Sequence, residues 1–257
     1  AQTSTDAEVL RRRMQQEAEE RLRQQQAPDI RLPRPTPAVD PEATDLPAET
    51  PCFPIASLKL EGERLDAFPH LPTMLEPYAG RCIGREGINL IVKRLSARLV
   101  ADGYITTRIG LPEQELAGGT LRLVLVPGIV RAIRYTDDTS AGDWRTAFPV
   151  RPGDLLNLRD LEQGLEQMKR LPSQDVDFSI APGEAPGESD IVIAVKRIKP
   201  WRLGLTLDDA GVRATGKRQA SASLAIDNPL GLNDIFTVTL NNDAENDPKH
   251  LGTRGYG

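Results

Sequence analysis

The stretch that decides the fold is REGINLIVKRLSARLVADGYITTRIGL, residues 85–111. Apolar side chains recur in it at helical spacing, at Ile88, Ile91, Val92, Leu95 and Leu99. This spacing predicts a helix over Arg85–Asp102, and Gly103 stands where a helix C-terminal cap belongs. Residues 104–111 then alternate between apolar and polar, which predicts a strand that follows the helix.

Segments on both sides complete a first unit, and a second unit repeats it. Outside the helix and strand above, the first unit has predicted strands at 53–60 and 121–126 and a short helical piece at 71–78. The second unit has predicted strands at 129–135, 176–180 and 191–198, a short helix at 143–148 and a longer one at 158–171. Two consecutive units of about 70–75 residues with one pattern are an internal repeat, so we expect an α+β fold.

The pattern changes after Trp201 into long segments that alternate strictly. The apolar positions include Leu203, Leu205 and Leu207, then Leu224 and Ile226, then Phe236, Val238 and Leu240, with small or polar residues between them. This alternation is typical of a membrane barrel, although soluble antiparallel sheets share it and periodicity alone favours them. Three strands cannot close a barrel, so the barrel interpretation implies a longer chain.

The first 51 residues have a different texture. A helix is predicted over Asp6–Gln26, but its apolar positions are too sparse to form a core-facing stripe. Such a helix is solvated, disordered or held in a polar cavity, and the solvated state is the default expectation. Residues 27–51 contain seven prolines, which predicts a semi-extended linker.

Composition limits the classes of function. The net charge of −5 does not predict a nucleic-acid surface. The sequence contains no run of 18 apolar residues, so it predicts no transmembrane helix. Ala1 resembles the mature end left by signal-peptide cleavage. Cys52 and Cys82 suit one disulfide in an oxidising compartment, worth roughly 3–4 kcal/mol, with two unpaired buried thiols as the alternative.

No motif in the sequence carries catalytic or metal chemistry. Residues 211–218 nearly spell a phosphate-binding loop, but Arg218 replaces the required Ser or Thr and a strand follows instead of a helix. His70 and His250 have no neighbours at metal-ligand spacing. We therefore expect no enzyme activity, no metal, no cofactor and no nucleotide.

Exposed strand edges offer a different mechanism, because an extended peptide can add to an edge as a further strand. The candidate edges are Thr106, Thr107, Arg108 and Ile109 in the first unit, and Val176, Asp177, Phe178, Ser179 and Ile180 in the second. The alternative is an edge blunted by charge and proline, for which Arg108 and Pro112 are suitable.

Several motifs occur in an order that resembles a known family. They are Pro51-Cys52-Phe53-Pro54-Ile55, Gly80-Arg81-Cys82-Ile83-Gly84, Asp102-Gly103-Tyr104-Ile105-Thr106-Thr107-Arg108, Gly119-Thr120-Leu121-Arg122-Leu123 and Asp227-Asn228-Pro229-Leu230-Gly231-Leu232-Asn233-Asp234. Together they resemble the two-partner secretion transporters of the hemolysin-activator and CdiB type, which share the paired cysteines. The resemblance covers about residues 52–242.

The resemblance implies a domain plan and a function. It implies a helix at 1–26 that plugs the barrel lumen, with Leu10, Arg12, Arg13, Glu17 and Glu20 in the plug. It further implies a linker at 27–51, POTRA domains at 52–128 and 129–199, and the start of a 16-stranded barrel at 200–257. The function would be export of a partner exoprotein across the bacterial outer membrane, in contact with its lipid. The periplasmic POTRA domains would bind the partner's N-terminal secretion domain, and the alternative is a barrel-assembly scaffold.

Overall fold

The structure, a computed structural model, describes residues 39–136, 142–208, 218–243 and 254–256. The predicted plug helix, with Leu10, Arg12, Arg13, Glu17 and Glu20, lies outside these ranges, as do residues 27–38 of the predicted linker and residues 211–217. The linker residues from 39 to 51 form neither helix nor strand, as their prolines predict.

The first domain, residues 53–126, is a small sheet with helices on one side. Its elements are β1 (Phe53–Ile55), β2 (Ser57–Gly62), α1 (His70–Thr73), β3 (Arg81–Ile83), α2 (Arg85–Ala101), β4 (Arg108–Gly110) and β5 (Thr120–Val126). The sheet order is β2-β5-β4, with β2 parallel and β4 antiparallel to β5. The predicted strand 53–60 is two strands, because β1 pairs with β3 and only β2 joins the sheet.

The core of the first domain lies between α2 and β5. The fully buried side chains on these two elements include Ile91, Leu95, Leu99, Leu121 and Leu123. Each such side chain contributes roughly 1.5–3 kcal/mol relative to an exposed position. The predicted helix 85–102 is confirmed to within one residue, because its apolar spacing marks the face that this core buries.

The second domain, residues 129–197, repeats this arrangement. Its elements are β6 (Ile129–Tyr135), a 3-10 turn (Trp144–Thr146), α3 (Leu158–Lys169), β7 (Gln174–Pro182) and β8 (Glu188–Arg197). The sheet order β6-β8-β7 matches the order of the first domain, with the same parallel and antiparallel pairs. The α+β repeat is therefore confirmed, although the predicted helix 143–148 is only a 3-10 turn.

A long-stranded sheet follows the second domain. Its strands are β9 (Trp201–Asp208), β10 (Gln219–Asp227), β11 (Ile235–Asp243) and β12 (Arg254–Tyr256), in the order β9-β10-β11-β12 and antiparallel throughout. The short turn 228–234 joins β10 to β11.

The registers give the long-stranded sheet one apolar and one polar face. Trp201, Leu203, Leu205, Leu224, Phe236, Val238 and Leu240 share the first face, and Leu205 there is 75% exposed. Gly204, Thr206, Ser221, Ser223, Thr237 and Thr239 share the second, where the hydroxyls of Thr206 and Ser221 hydrogen-bond. An exposed apolar face opposite small polar residues is the pattern of barrel strands in a membrane. Within the described ranges, no helix has the length and apolarity to cross a membrane.

Candidate functional site

The strand β7 is the longest sheet edge in the two small domains. Among the described residues its nine positions pair on one side only, with β8. All five predicted positions 176–180 lie within it. An edge of this length presents unpaired backbone groups to which an extended chain can bond.

The hydrogen-bond pattern shows which residues of β7 face outward. Ile198 N donates to Ser173 O at 2.9 Å, so this pair is hydrogen-bonded to the neighbouring strand. Bonded and non-bonded pairs alternate along an antiparallel ladder. The backbone groups of Val176, Phe178 and Ile180 consequently point away from β8, towards the free edge.

One of these outward groups is guarded by a neighbouring carboxylate. Phe178 N donates to Oδ1 of Asp177 at 2.8 Å. The side chain of Val176 is fully buried, whereas Phe178 and Ile180 are half-buried on the same side of the strand. The edge thus offers outward backbone donors and acceptors, of which the Phe178 donor is guarded, and a partly open apolar face.

The corresponding edge strand of the first domain is short. Strand β4 has three residues, and extension of its register would place Pro112 opposite Arg122. Proline lacks the donor that this pairing needs. The side-chain amide of Gln114 takes its place: it donates to Arg122 O at 2.8 Å and accepts from Arg122 N at 2.7 Å.

Two of the predicted edge residues in the first domain are not on the strand. Thr106 and Thr107 lie in the turn before β4, and only Arg108 and Ile109 are in it. The Thr107 hydroxyl, which is buried, accepts from Gly128 N at 3.0 Å. The strand assignment of both threonines was wrong because the alternating pattern continues through a turn that docks on the domain boundary.

The two small domains meet end to end at their long helices. Asn157 caps α3 by accepting from Arg159 N, and its Nδ2 donates to Asp102 O at 3.1 Å. Leu158 N donates to Gly103 O at 2.9 Å. The positive N-terminus of α3 therefore faces the carbonyl groups that follow α2, an arrangement favoured by the dipoles of both helices.

A buried carboxylate joins β7 to the long-stranded sheet. Asp227, whose side chain is 0% exposed, accepts from Ser173 N at 3.0 Å and from both Nη atoms of Arg202 at 2.6 and 3.0 Å. Because Ser173 directly precedes β7, this contact fixes the start of the free edge at the end of β10.

The turn after β10 makes a second contact with the second domain. Asp143 N donates to Gly231 O at 2.7 Å, and Asn233 Nδ2 donates to the Thr146 hydroxyl at 2.9 Å. Asn233 adopts a left-handed backbone with φ of 59°, which asparagine tolerates better than most residues. The joint is thus made of backbone and amide hydrogen bonds.

A charge cluster holds the opposite edge of the second domain. Arg131 stands at a bulge in β6 and forms two hydrogen bonds to the Asp190 carboxylate, at 2.8 and 2.7 Å. These bonds hold the pKa of Asp190 below its ordinary range. Bonds to Val130 from 153–154 cover the outer side of β6, so this edge is less open than β7.

The predicted cysteine pair is joined. Cys52 and Cys82 form a disulfide with a Cα–Cα distance of 5.4 Å, which ties the end of the linker to β3. Within the described ranges, no group of three or more His, Cys, Asp or Glu side chains could hold a metal ion.

The sequence predicts the positions on β7 but not the contacts that block or anchor this strand. Asp177 was selected as an edge residue, and nothing in its local pattern reveals that it guards Phe178. Asn157 has the N-cap residue type, which gave a usable signal for the helix start. The bond from Ser173 to Asp227 spans 54 positions and leaves no trace in local spacing.

Three family descriptions match consecutive parts of the chain. "POTRA domain, ShlB-type" matches residues 53–128, and "POTRA domain" matches 129–182. "Haemolysin secretion/activation protein ShlB/FhaC/HecB" matches 187–257. The first match covers the first domain, the second covers the second domain up to the end of β7, and the third covers β8 and the long-stranded sheet.

Individual proteins are similar over most of the chain. The chain is 50% identical over 255 residues to "Outer membrane transporter CdiB-2" of Burkholderia pseudomallei strain 1026b, covering 93% of the chain and 43% of that protein. It is 33% identical to "Hemolysin transporter protein ShlB" of Serratia marcescens, covering 84% of the chain and 38% of that protein. The solved structure of CdiB from Escherichia coli matches with a TM-score of 0.79 at 28% identity, covering 95% of the chain and 45% of that structure. The chain spans less than half the length of these relatives.

Proposed function

This chain belongs to the two-partner secretion transporters of the CdiB and hemolysin-transporter type, and on that premise we propose that it serves the export of a large partner exoprotein across the bacterial outer membrane. The observation that supports this proposal most directly is the free edge β7, anchored through Ser173 to the base of the long-stranded sheet. The similarity to CdiB and ShlB proteins favours export of a partner over a barrel-assembly scaffold.

The proposed mechanism is strand addition in the periplasm. A segment of the partner's N-terminal secretion domain pairs with the outward backbone of Val176, Phe178 and Ile180, while its side chains contact the half-buried face of β7. Backbone pairing requires little sequence specificity from the partner. This suits a segment that must later leave the site as export proceeds. Because Asp227 at the end of β10 holds Ser173, the residue before β7, the paired segment lies beside the base of the sheet that leads into the membrane.

The remaining parts take roles that agree with this mechanism. The exposed apolar face of the long-stranded sheet contacts outer-membrane lipid, and its small polar face lines the lumen. The helix 1–26 plugs that lumen, with Leu10, Arg12, Arg13, Glu17 and Glu20 among its contacts. Thr106, Thr107, Arg108 and Ile109 are a weaker docking candidate than β7, because β4 has only three residues and both threonines lie in the turn before it. The proposed process uses no nucleotide, nucleic acid, cofactor or catalytic residue of this chain.

Site-specific photo-crosslinking tests where the partner binds. A photoreactive residue at Ser179, which is exposed on β7, should crosslink to the partner's secretion domain. The same residue at Lys59, which is exposed on the edge strand β2 of the first domain, should crosslink much less. Equal crosslinking at both positions, or none at Ser179 when binding is measurable, would contradict the β7 site.

A pair of aspartates on the same strand tests strand addition itself. The change Asp177→Ala frees the Phe178 donor, so the partner should bind about three- to tenfold tighter, given the typical strength of a hydrogen bond to a charged group at a partly exposed site. Asp175→Ala removes the same charge from the same exposed face without freeing that donor. If both variants tighten binding equally, the effect is one of charge and the edge is not the site.

A further inference from the structure

The linker end is held on the first domain by a defined set of contacts. We call residues 42–49 the strap. Glu49 accepts from the amides of Glu86 and Gly87, both at 2.7 Å, and so caps the N-terminus of α2. Leu46 of the strap packs against the domain core.

Three arginines of the first domain complete the surface under the strap. Arg94 donates to Asp45 O and to Asp45 Oδ1, both at 2.6 Å. Arg81 donates to Thr44 O at 2.6 Å, and Arg98 pairs with Glu42 at 3.0 Å. The three arginines and the first amides of α2 form a basic surface, which we call the arginine groove, and the strap that lies in it is acidic.

The two sides of this contact differ in how firmly they are built. The Arg94 side chain is only 5% exposed, and it also donates to the Tyr78 hydroxyl, so the domain fixes it in place. The strap carboxylates of Asp45 and Glu42 are 81% and 74% exposed. These two carboxylates are open to water and salt, which weaken ion pairs, so the receptor side is preorganised while these contacts of its occupant can be exchanged.

We propose that the arginine groove is a binding site for an acidic, extended peptide, and that the strap is its resident occupant. The ligand needs a carboxylate for the α2 amides, and a carbonyl with a second carboxylate for Arg94. Most of its contacts are to backbone carbonyls and carboxylates, so another chain of this chemistry displaces the strap.

This inference rests on the proposed function, because the exported partner is the polypeptide that would present such a segment. Displacement moves the attachment point of the linker from Glu42 to Cys52, where the disulfide holds it. Ten residues at roughly 3.3–3.6 Å each release about 33–36 Å of chain. Binding of a partner is thereby coupled to slack in the tether that leads to residues 1–38.

A labelled peptide with the strap sequence tests the site in the whole chain, kept in detergent. The probe is a fluorescent DPEATDLPAETP peptide, residues 40–51, and the recipient carries Glu42→Gln, Asp45→Asn and Glu49→Gln to weaken its own strap. The probe should bind this recipient at least tenfold tighter than it binds the unmodified chain, in which the tethered strap competes at high effective concentration. Binding should weaken as salt rises.

Two further variants keep the result interpretable. Adding Arg94→Met to the recipient should abolish binding of the probe, whereas adding Glu63→Gln, at an exposed acid of the same domain, should leave it unchanged. Amide exchange at Glu86 and Gly87 should be faster in the recipient and should slow again when the probe is added.

Equal binding to the recipient and the unmodified chain, binding that survives Arg94→Met, or no binding by a recipient whose core amides stay protected would overturn the site. Crosslinking of the secretion domain at Ser179 is an independent measurement. If that crosslink persists when the peptide fails to bind, only the arginine groove is refuted.

Discussion

The two small domains share one topology but are stabilised by different means. The first domain is tied to the end of the linker by the disulfide Cys52–Cys82 and is crossed by the strap. The second domain is packed between two neighbours: the end of α2 meets its helix on one side, and Asp227 and the turn 228–234 hold it on the other. A small β-α-β-β unit buries too little to be very stable alone, so each domain recruits help from what lies beside it.

The largest expected difference between the domains comes from the disulfide. Replacing Cys52 and Cys82 by serine should lower the free energy of unfolding of the first domain by roughly 3–4 kcal/mol, because a 30-residue loop is released in the unfolded chain. Amide exchange should accelerate in α2 and β5 and change little in α3 and β8. Equal acceleration in both domains would show that they unfold as one unit.

The next largest change in stability is expected in the second domain, at a glycine of the helix α3. A Cβ on Gly164 would lie 2.3 Å from Cδ1 of Phe148, which is fully buried. Gly164→Ala should therefore destabilise the second domain by about 1–3 kcal/mol through overpacking, despite the better helix propensity of alanine. Chemical denaturation, monitored by amide exchange in α3, measures this loss of stability. A more stable variant would mean that Phe148 has room to move.

Periodic burial explains which parts of this fold the sequence predicted. The helix α2, the repeat and the alternating strands after Trp201 all place apolar residues at the period of their own structure, so local spacing revealed them. The shortening of β4 was predicted only in part: Pro112 indicates a blunted edge, but nothing in the sequence reveals that the Gln114 amide takes over the pairing with Arg122.

Long-range polar contacts explain what the sequence did not predict. Glu49 binds amides 37 and 38 positions away, and Ser173 binds Asp227 across 54 positions. Such contacts depend on how finished elements meet in space and leave no periodic signal. For this reason the strap was expected only as a linker, and the anchoring of β7 was not expected at all.

A smaller effect is expected from a tyrosine in the second domain. The Tyr135 hydroxyl donates to Gly142 O at 2.6 Å, and Tyr135→Phe should cost about 0.5–1.5 kcal/mol. The first domain uses Tyr78 in the same way, donating to Ala43 O of the strap. Because Tyr78 also accepts from Arg94, Tyr78→Phe should cost more than Tyr135→Phe, and its effect should be confined to the first domain.

The raised pKa of Tyr135 predicts that the stability of the second domain depends on pH in the alkaline range. Burial, with the nearby charge of Asp143, raises the pKa of Tyr135 to about 12. Because the unfolded side chain ionises near pH 10, its contribution to stability is fully present below about pH 10 and is lost as the pH rises towards 12. Absorbance of tyrosinate and unfolding curves at about pH 9 and about pH 11, on either side of the unfolded pKa, would measure this. If Tyr135→Phe leaves the pH profile unchanged, the dependence belongs to another group.

The smallest change in stability is expected at the helix glycine of the first domain. A Cβ on Gly87 would lie 3.1 Å from Oε1 of Glu49, the end of a flexible side chain, and 2.9 Å from Cγ2 of the buried Ile83, which must give way slightly. The gain in helix propensity, up to about 1 kcal/mol, opposes this crowding, so Gly87→Ala should change the stability of the first domain by less than about 1 kcal/mol. The strap should nevertheless loosen, because the added methyl group displaces Glu49 from the α2 amides. Faster amide exchange at Glu86 with unchanged amide exchange at Leu95 would show that the strap loosens while the domain core stays intact. Gly164→Ala, by contrast, is expected to weaken the core of the second domain. If both amides accelerate together, the strap is an integral part of the first domain, and the division between a rigid receptor and a loosely held occupant fails.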